Sequence, residues 1–367
     1  MRRPDLSRRT LILGTTAASL VMILIVALVI PTTRGGMVDA WCGLGPCPTQ
    51  EPQDAEPDGT GRLLRMSPEE AATWGNYIAL GDSYSSGDGA GDYAPGTDGD
   101  GGCWRSANAY PEHIAENNEF AGELGFFACS GQRGAAMLEA IGSDESQLDR
   151  LTEHTSLVTI GIGGNDLGFT SVLRTCMMRV PLLESGNCVG QESDIDKRMD
   201  KFEDTFPNLL SEIRDRAPDA RVLILGYPRL FPAKPKSMYY TLTTSDQNWL
   251  NEVGQRLNEE LQDTVEEADS DIVGGDNTGS VEFVNVSSAL KGHEVSAEEA
   301  WINGVVWRDI TDGVTIDRST FHPNADGQNA LSKRLQKQIE EGPERPLYAT
   351  RATVDNAEPD VLASEFD

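Results

Sequence analysis

The chain predicts an α/β fold: a three-layer α/β/α sandwich on a five-stranded parallel sheet, in the flavodoxin-like order 2-1-3-4-5. Three observations predict it. Five short apolar runs recur along the chain, helical periodicity fills most of the gaps between them, and glycine-rich turns follow the first three. Residues 77–80, 125–128, 157–160, 221–225 and 281–286 are the runs; continuous apolar character suits parallel strands buried on both faces. Ile195, Met199, Phe202, Phe206, Leu209, Leu210 and Ile213 repeat at threes and fours, one face of a helix. Trp249, Leu250, Val253, Leu257, Leu261 and Val265 do the same, and residues 325–339 read as a last helix. Ligands bind beyond the carboxyl ends of strands in such sheets. Ser83, Gly131 and Asn165 fall just past the ends of the first, second and third runs.

Outside this pattern the chain divides by composition. Arg2, Arg3, Arg8 and Arg9 precede a stretch, residues 11–30, with no charge. Twenty apolar residues are about what a helix needs to cross roughly 30 Å of hydrocarbon. Residues 1–34 are therefore expected to be a membrane anchor or a signal segment, with an exported remainder. If cleaved, the segment would end near Ala40 and leave a secreted protein. Residues 35–74, rich in Gly, Pro and acids, read as a tether, residues 75–341 as the catalytic domain, and residues 342–367 as an acidic flexible tail. The formal net charge of −29 argues against nucleic acid as a partner. A monomer is expected. Six cysteines all follow the apolar stretch, which suits disulfides in an exported chain. Proximity favours Cys42–Cys47, Cys103–Cys129 and Cys176–Cys188. No CxxC or histidine cluster accompanies them to suggest a metal.

The chemistry rests on two distant segments. Gly81-Asp82-Ser83 follows the first buried run, where a turn can expose a nucleophile, and His322-Pro323-Asn324 lies on a loop before the last helix. A serine hydroxyl needs a base, and His322 is the candidate over His113, His154 and His293. Gly163-Gly164-Asn165-Asp166 forms a turn that can offer a side-chain amide to an oxyanion, and Cys129-Ser130-Gly131 a bare backbone N–H. Together these read as a serine hydrolase. The Asp-rich loop with Asp88, Asp92, Asp98 and Asp100 could gather Ca²⁺ ligands, though a solvated acidic loop is the better reading.

Gly81-Asp82-Ser83, Gly131, Gly164-Asn165-Asp166 and His322 resemble the four blocks of the SGNH-hydrolase superfamily, the GDSL esterases and lipases. The resemblance covers about residues 75–340 and is closest to the exported actinobacterial-type branch with three disulfides. It implies Ser83 as nucleophile, His322 as base, and an oxyanion hole from the Ser83 and Gly131 N–H groups and the Asn165 side chain. It also implies ester hydrolysis through an acyl-enzyme, no metal or organic cofactor, and the local cysteine pairing above. One departure stands out: the family's usual acid three residues before the histidine is replaced by Ser319. Two orienters of His322 follow, the carbonyl or hydroxyl of Ser319 or the carboxylate of Asp317. The leading function is an extracytoplasmic esterase or lipase acting on acyl lipids. A glycan O-acetyl esterase or acyltransferase of the same fold, and a catalytically silent binding module, are the alternatives. Phe169, Val172 and Leu173 are candidates for an acyl-chain rim.

Overall fold

The computed structural model of the chain describes residues 61–177, 188–308 and 315–366. In chain order, strand β1 (Leu63–Met66) and helix α1 (Pro68–Thr73) precede β2 (Asn76–Gly81). Then come α2 (Ser83–Ser86), α3 (Tyr110–Asn117), β3 (Leu124–Phe126), α4 (Gly134–Glu139), β4 (Thr155–Gly161) and α5 (Phe169–Met177). The second half carries α6 (Glu192–Arg216), β5 (Arg221–Leu225), α7 (Thr244–Gly274), β6 (Ser280–Val284), β7 (Trp307–Arg308) and β8 (Thr315–Ile316). Helix α8 (Ala325–Glu341), β9 (Leu347–Thr350), α9 (Arg351–Asp355) and α10 (Pro359–Ser364) close it.

The main sheet runs β3-β2-β4-β5-β6, with every pair parallel. This is the expected 2-1-3-4-5 order. One row across it reads Gly125, Ile78, Val158, Val222, Val281. Every residue of β2, β4 and β5 is buried, so side chains alternate between two cores rather than between core and water. Ile78, Val158, Val222 and Ile224 face one, with Phe202 and Phe206 of α6 and Leu257 and Leu261 of α7. Tyr77, Ala79, Leu157 and Leu223 face the other, with Ile114 of α3 and Leu331 and Leu335 of α8. Full burial of one such side chain contributes roughly 1.5–3 kcal/mol. Arg221 is a fully buried charge within this filling. It makes a two-pronged pair with Glu282 at 2.8 Å and donates to the carbonyls of Gln338 and Ile339 at 2.9 and 2.8 Å. That couples β5 and β6 to the electronegative end of α8.

Two boundaries differ from the expectation. Residues 61–74, read as the end of a tether, form β1 and a capped helix, with the Ser67 and Glu70 side chains and backbones bonded reciprocally. Residues 342–366, read as a flexible tail, form β9, α9 and α10. Strands β1 and β9 pair antiparallel, Leu63 opposite Thr350 and Met66 opposite Leu347. Leu63, Leu347, Ala349 and Leu362 are buried. Glu365 then accepts from Asn76 Nδ2 and Thr152 Oγ1, and meets His154 Nδ1, each at 2.8 Å. Glu344, Asp355, Glu358 and Asp360 face outward, while Leu347, Ala349 and Leu362 point in. The expected anchor, most of the expected tether and the Cys42–Cys47 pair lie outside the described residues. The other two disulfides are present, Cys103–Cys129 and Cys176–Cys188.

Candidate active site

Strand β2 delivers the serine. Gly81 has φ +117, and a Cβ there would sit 2.4 Å from the Gly161 carbonyl, so only glycine lets the chain turn this close to β4. Asp82 caps α2, its Oδ1 accepting the Tyr84 N–H at 2.9 Å. Ser83 is the first residue of that single turn. Gln147, a residue the sequence did not single out, grips Gly81 from both sides: its Oε1 accepts the Gly81 N–H at 2.8 Å and its Nε2 donates to the Gly81 carbonyl at 3.1 Å.

The histidine arrives from 239 positions away. His322 Nε2 lies 2.8 Å from Ser83 Oγ. Its Nδ1 lies 3.1 Å from the Thr320 carbonyl. A carbonyl can only accept, so Nδ1 carries the proton and Nε2 is left to take one from serine. Neither expected orienter does this work. The Ser319 carbonyl accepts the His322 backbone N–H, and Asp317 Oδ1 accepts from the Ser319 N–H and hydroxyl at 2.8 and 2.6 Å. The bend that achieves this runs through Phe321, held at φ +63, a conformation rarely adopted by a bulky side chain. Tyr84 Oη donates to the Phe321 carbonyl at 2.7 Å and fixes the bend to the serine's own turn. Burial pushes the imidazole pKa below its ordinary value, and the Asp88 carboxylate nearby partly offsets this.

Asn165 lines the same cavity as Ser83 and His322. Its Nδ2 donates to the Gln132 carbonyl at 3.0 Å, which leaves the second hydrogen of the amide for another acceptor. Gly131, at φ +86, sits in the same 129–132 turn, with open space where a Cβ would be; it is not among the residues that line the cavity. Behind Asn165 a relay runs back to the serine. The Gly164 N–H donates to Tyr227 Oη at 3.0 Å, and Tyr227 Oη donates to Asp82 Oδ2 at 2.5 Å. Burial pushes the Asp82 carboxyl up to about 7, against the lowering effect of the Tyr227 bond. Tyr227 was missed; its position just past β5, in Gly226-Tyr227-Pro228, was the available signal.

The GDSL-like Lipase/Acylhydrolase family model matches residues 79–330. The chain belongs to that family. It is 31% identical over 274 residues to Lipase 1 of Streptomyces coelicolor, covering 74% of this chain and 88% of the relative. It is 31% identical to a lipase of Streptomyces rimosus, covering 69% of this chain and 82% of the relative. Among solved structures it resembles a phospholipase A1 from Streptomyces albidoflavus, with a TM-score of 0.59, 30% identity, and coverage of 72% of this chain and 98% of that one. An extracellular lipase from Streptomyces rimosus superimposes with a TM-score of 0.57 at 28% identity, covering 72% of this chain and 99% of that one. The enzyme is a carboxylic ester hydrolase of this family.

In this hydrolase the pair opens into a cavity of about 420 Å³. Phe169, Leu173, Met177, Leu230, Val253 and Leu257 supply apolar wall; the charged lining is Arg174, Arg229 and Arg318 with Asp82 and Asp317. Val172, read as a rim residue, is fully buried and does not line it. None of His113, His154 and His293 lines it. Asp88 is not an exposed loop acid: it is buried, paired with Arg318 Nη1 at 3.0 Å and accepting from Ser130 Oγ at 2.7 Å. Asp92, Asp98 and Asp100 are exposed. Among the described residues no group of three or more acids, histidines or cysteines is placed to hold a metal ion.

Proposed function

We propose that Ser83 attacks the carbonyl carbon of an acyl-lipid ester while His322 Nε2 takes its proton. The 2.8 Å contact between Nε2 and Oγ at the cavity wall carries this reading. Negative charge then develops on the former carbonyl oxygen. The Asn165 amide and the Ser83 and Gly131 N–H groups are the donors for it, because preorganised donors lower the barrier where charge appears. The imidazolium returns the proton to the leaving alkoxide, and water releases the acyl group from Ser83 by the reverse path. The Thr320 carbonyl keeps the imidazole in the one tautomer that can begin the cycle. The apolar wall favours an acyl chain. Arg174 and Arg229, in a chain of net charge −29, favour an anionic head group such as that of a glycerophospholipid, the class named for the Streptomyces albidoflavus phospholipase A1. We also infer export, from the two disulfides and from the extracellular relative. The apolar residues 11–30 would direct it, with Cys42–Cys47 as a third bridge; a species from cells starting near Trp41 means cleavage, and a full-length one means an anchor.

Labelling by a fluorophosphonate probe tests the nucleophile. Wild type labels, and Ser83→Ala loses labelling and at least a thousandfold in turnover with its fold intact. An unlabelled, inert wild type would make the chain a binding module. A panel of p-nitrophenyl esters, phospholipids and acetylated sugars then reads the substrate class, with greatest turnover expected on phospholipid and medium-to-long acyl esters.

A further inference from the structure

Residues 227–245 break the chemistry of the rest of the chain. They hold Arg229, Lys234 and Lys236 and no acid, in a protein with 59 acidic and 30 basic residues. The same segment leaves large apolar side chains in water. Met238 is 58% and Tyr240 56% exposed, and Val306 beside it is 40% exposed. These are three of the seven large apolar side chains exposed among the described residues. Lys234 and Lys236 are exposed as well. Polar and basic groups beside exposed apolar ones mark an interaction surface rather than misplaced core.

The segment is restricted in its backbone and tied to the cavity wall. Pro232 and Pro235 restrict its backbone. Tyr239 and Leu242 exchange backbone bonds at 3.0 and 2.9 Å, and Tyr240 between them is held at φ +50. Arg229 and Leu230 at its root line the cavity. At its far end Thr241 Oγ1 donates to the carbonyl of Met177, another lining residue, at 2.8 Å. Between them Tyr239 packs edge-on against Phe231, and its hydroxyl accepts the Val305 N–H at 3.1 Å. The segment therefore packs against the outside of the cavity wall, with Lys234, Lys236, Met238 and Tyr240 turned to solvent.

We propose that residues 232–242 dock this enzyme on a lipid surface carrying anionic head groups, with the cavity facing the acyl layer. The molecule's net charge repels such a surface at long range. Within a Debye length of about 8 Å, however, the surface meets the two lysines first. Met238 and Tyr240 then enter the head-group region, where an amphipathic ring is favoured. The lysines select the charge of the surface, and the apolar pair holds the contact. This inference rests on the lipid-ester reading above, and its test reads binding without turnover.

The test follows backbone hydrogen exchange of the full chain with phosphatidylcholine vesicles, with and without phosphatidylglycerol. Residues 11–30 can bind vesicles by themselves, so the readout is protection within 232–242. We expect protection on the anionic vesicles, lost in about 0.5 M salt and absent on the neutral ones. Lys234→Gln with Lys236→Gln should raise the lipid concentration for half-protection roughly twentyfold. Met238→Ser with Tyr240→Ser should abolish it. Both variants should hydrolyse soluble p-nitrophenyl butyrate at the wild-type rate, showing an intact fold. Unprotected 232–242 on anionic vesicles overturns the proposal. So does protection that is equal on neutral vesicles or indifferent to the two lysines. Protection without hydrolysis of the vesicle lipid would leave the docking standing and overturn the lipid-ester reading instead.

Discussion

His322 is held by a main-chain oxygen at one nitrogen and faces Ser83 with the other. The base proposed here must be neutral to accept a proton, so activity should rise as pH rises through its pKa. Burial lowers that pKa, which puts the acid limb of kcat/KM below the ordinary imidazole value of about 6.5. Asp88 works in the opposite direction. Asp88→Asn should therefore move the limb to still lower pH, in a profile measured with p-nitrophenyl butyrate, and it should cost stability by stranding Arg318. Asp317→Asn should change kcat by less than about threefold, since its carboxylate serves Ser319; a loss near a thousandfold, roughly 4 kcal/mol, would restore a catalytic acid. The meeting of Ser83 with His322 was legible because few residue types can fill the roles proposed for them. The orienter was not, because a backbone carbonyl belongs to every residue and leaves no mark in a sequence.

At the scale of elements, strand ends set the site. β2, β4 and β5 stop side by side and hand over Ser83, Asn165 and Tyr227. The first two followed from motifs after apolar runs. Tyr227 carries no motif, yet its hydroxyl joins the turn of Asn165 to the cap of the serine's helix. Tyr227→Phe leaves the Gly164 N–H and Asp82 Oδ2 without that partner. A buried polar group stripped of its bond costs about 1–3 kcal/mol, so the variant should lose stability of that order, measured by urea unfolding, and kcat on a soluble ester should fall as the turn of Asn165 loosens. The same variant should raise the Asp82 carboxyl above its present value of about 7, because the Tyr227 bond favours the ionised form. Gln147 was equally hidden: its partners are backbone atoms of Gly81, which no residue pattern announces.

At the scale of the molecule, the five-stranded sheet was readable because burial of β2, β4 and β5 on both faces writes largely apolar runs. The pairing of β1 with β9 was not. Each strand has four residues, too few to show a period, and each lies in an acidic neighbourhood that suggests disorder. A chain ending at residue 345 keeps Ser83, Asn165 and His322 but loses β9, α9 and α10. It should unfold at a markedly lower temperature, by roughly 4 kcal/mol or more of stability for the buried leucines Leu347 and Leu362 and the uncovered Leu63. Calorimetry of the two chains measures it.

That seam also fixes an order of events during synthesis. β1 leaves the ribosome before Ser83, Asn165 and His322, and its partner strand follows all three. The nascent protein must carry an unmatched strand edge until residues 347–350 have emerged, so no upstream part of the chain can stop that edge being sticky.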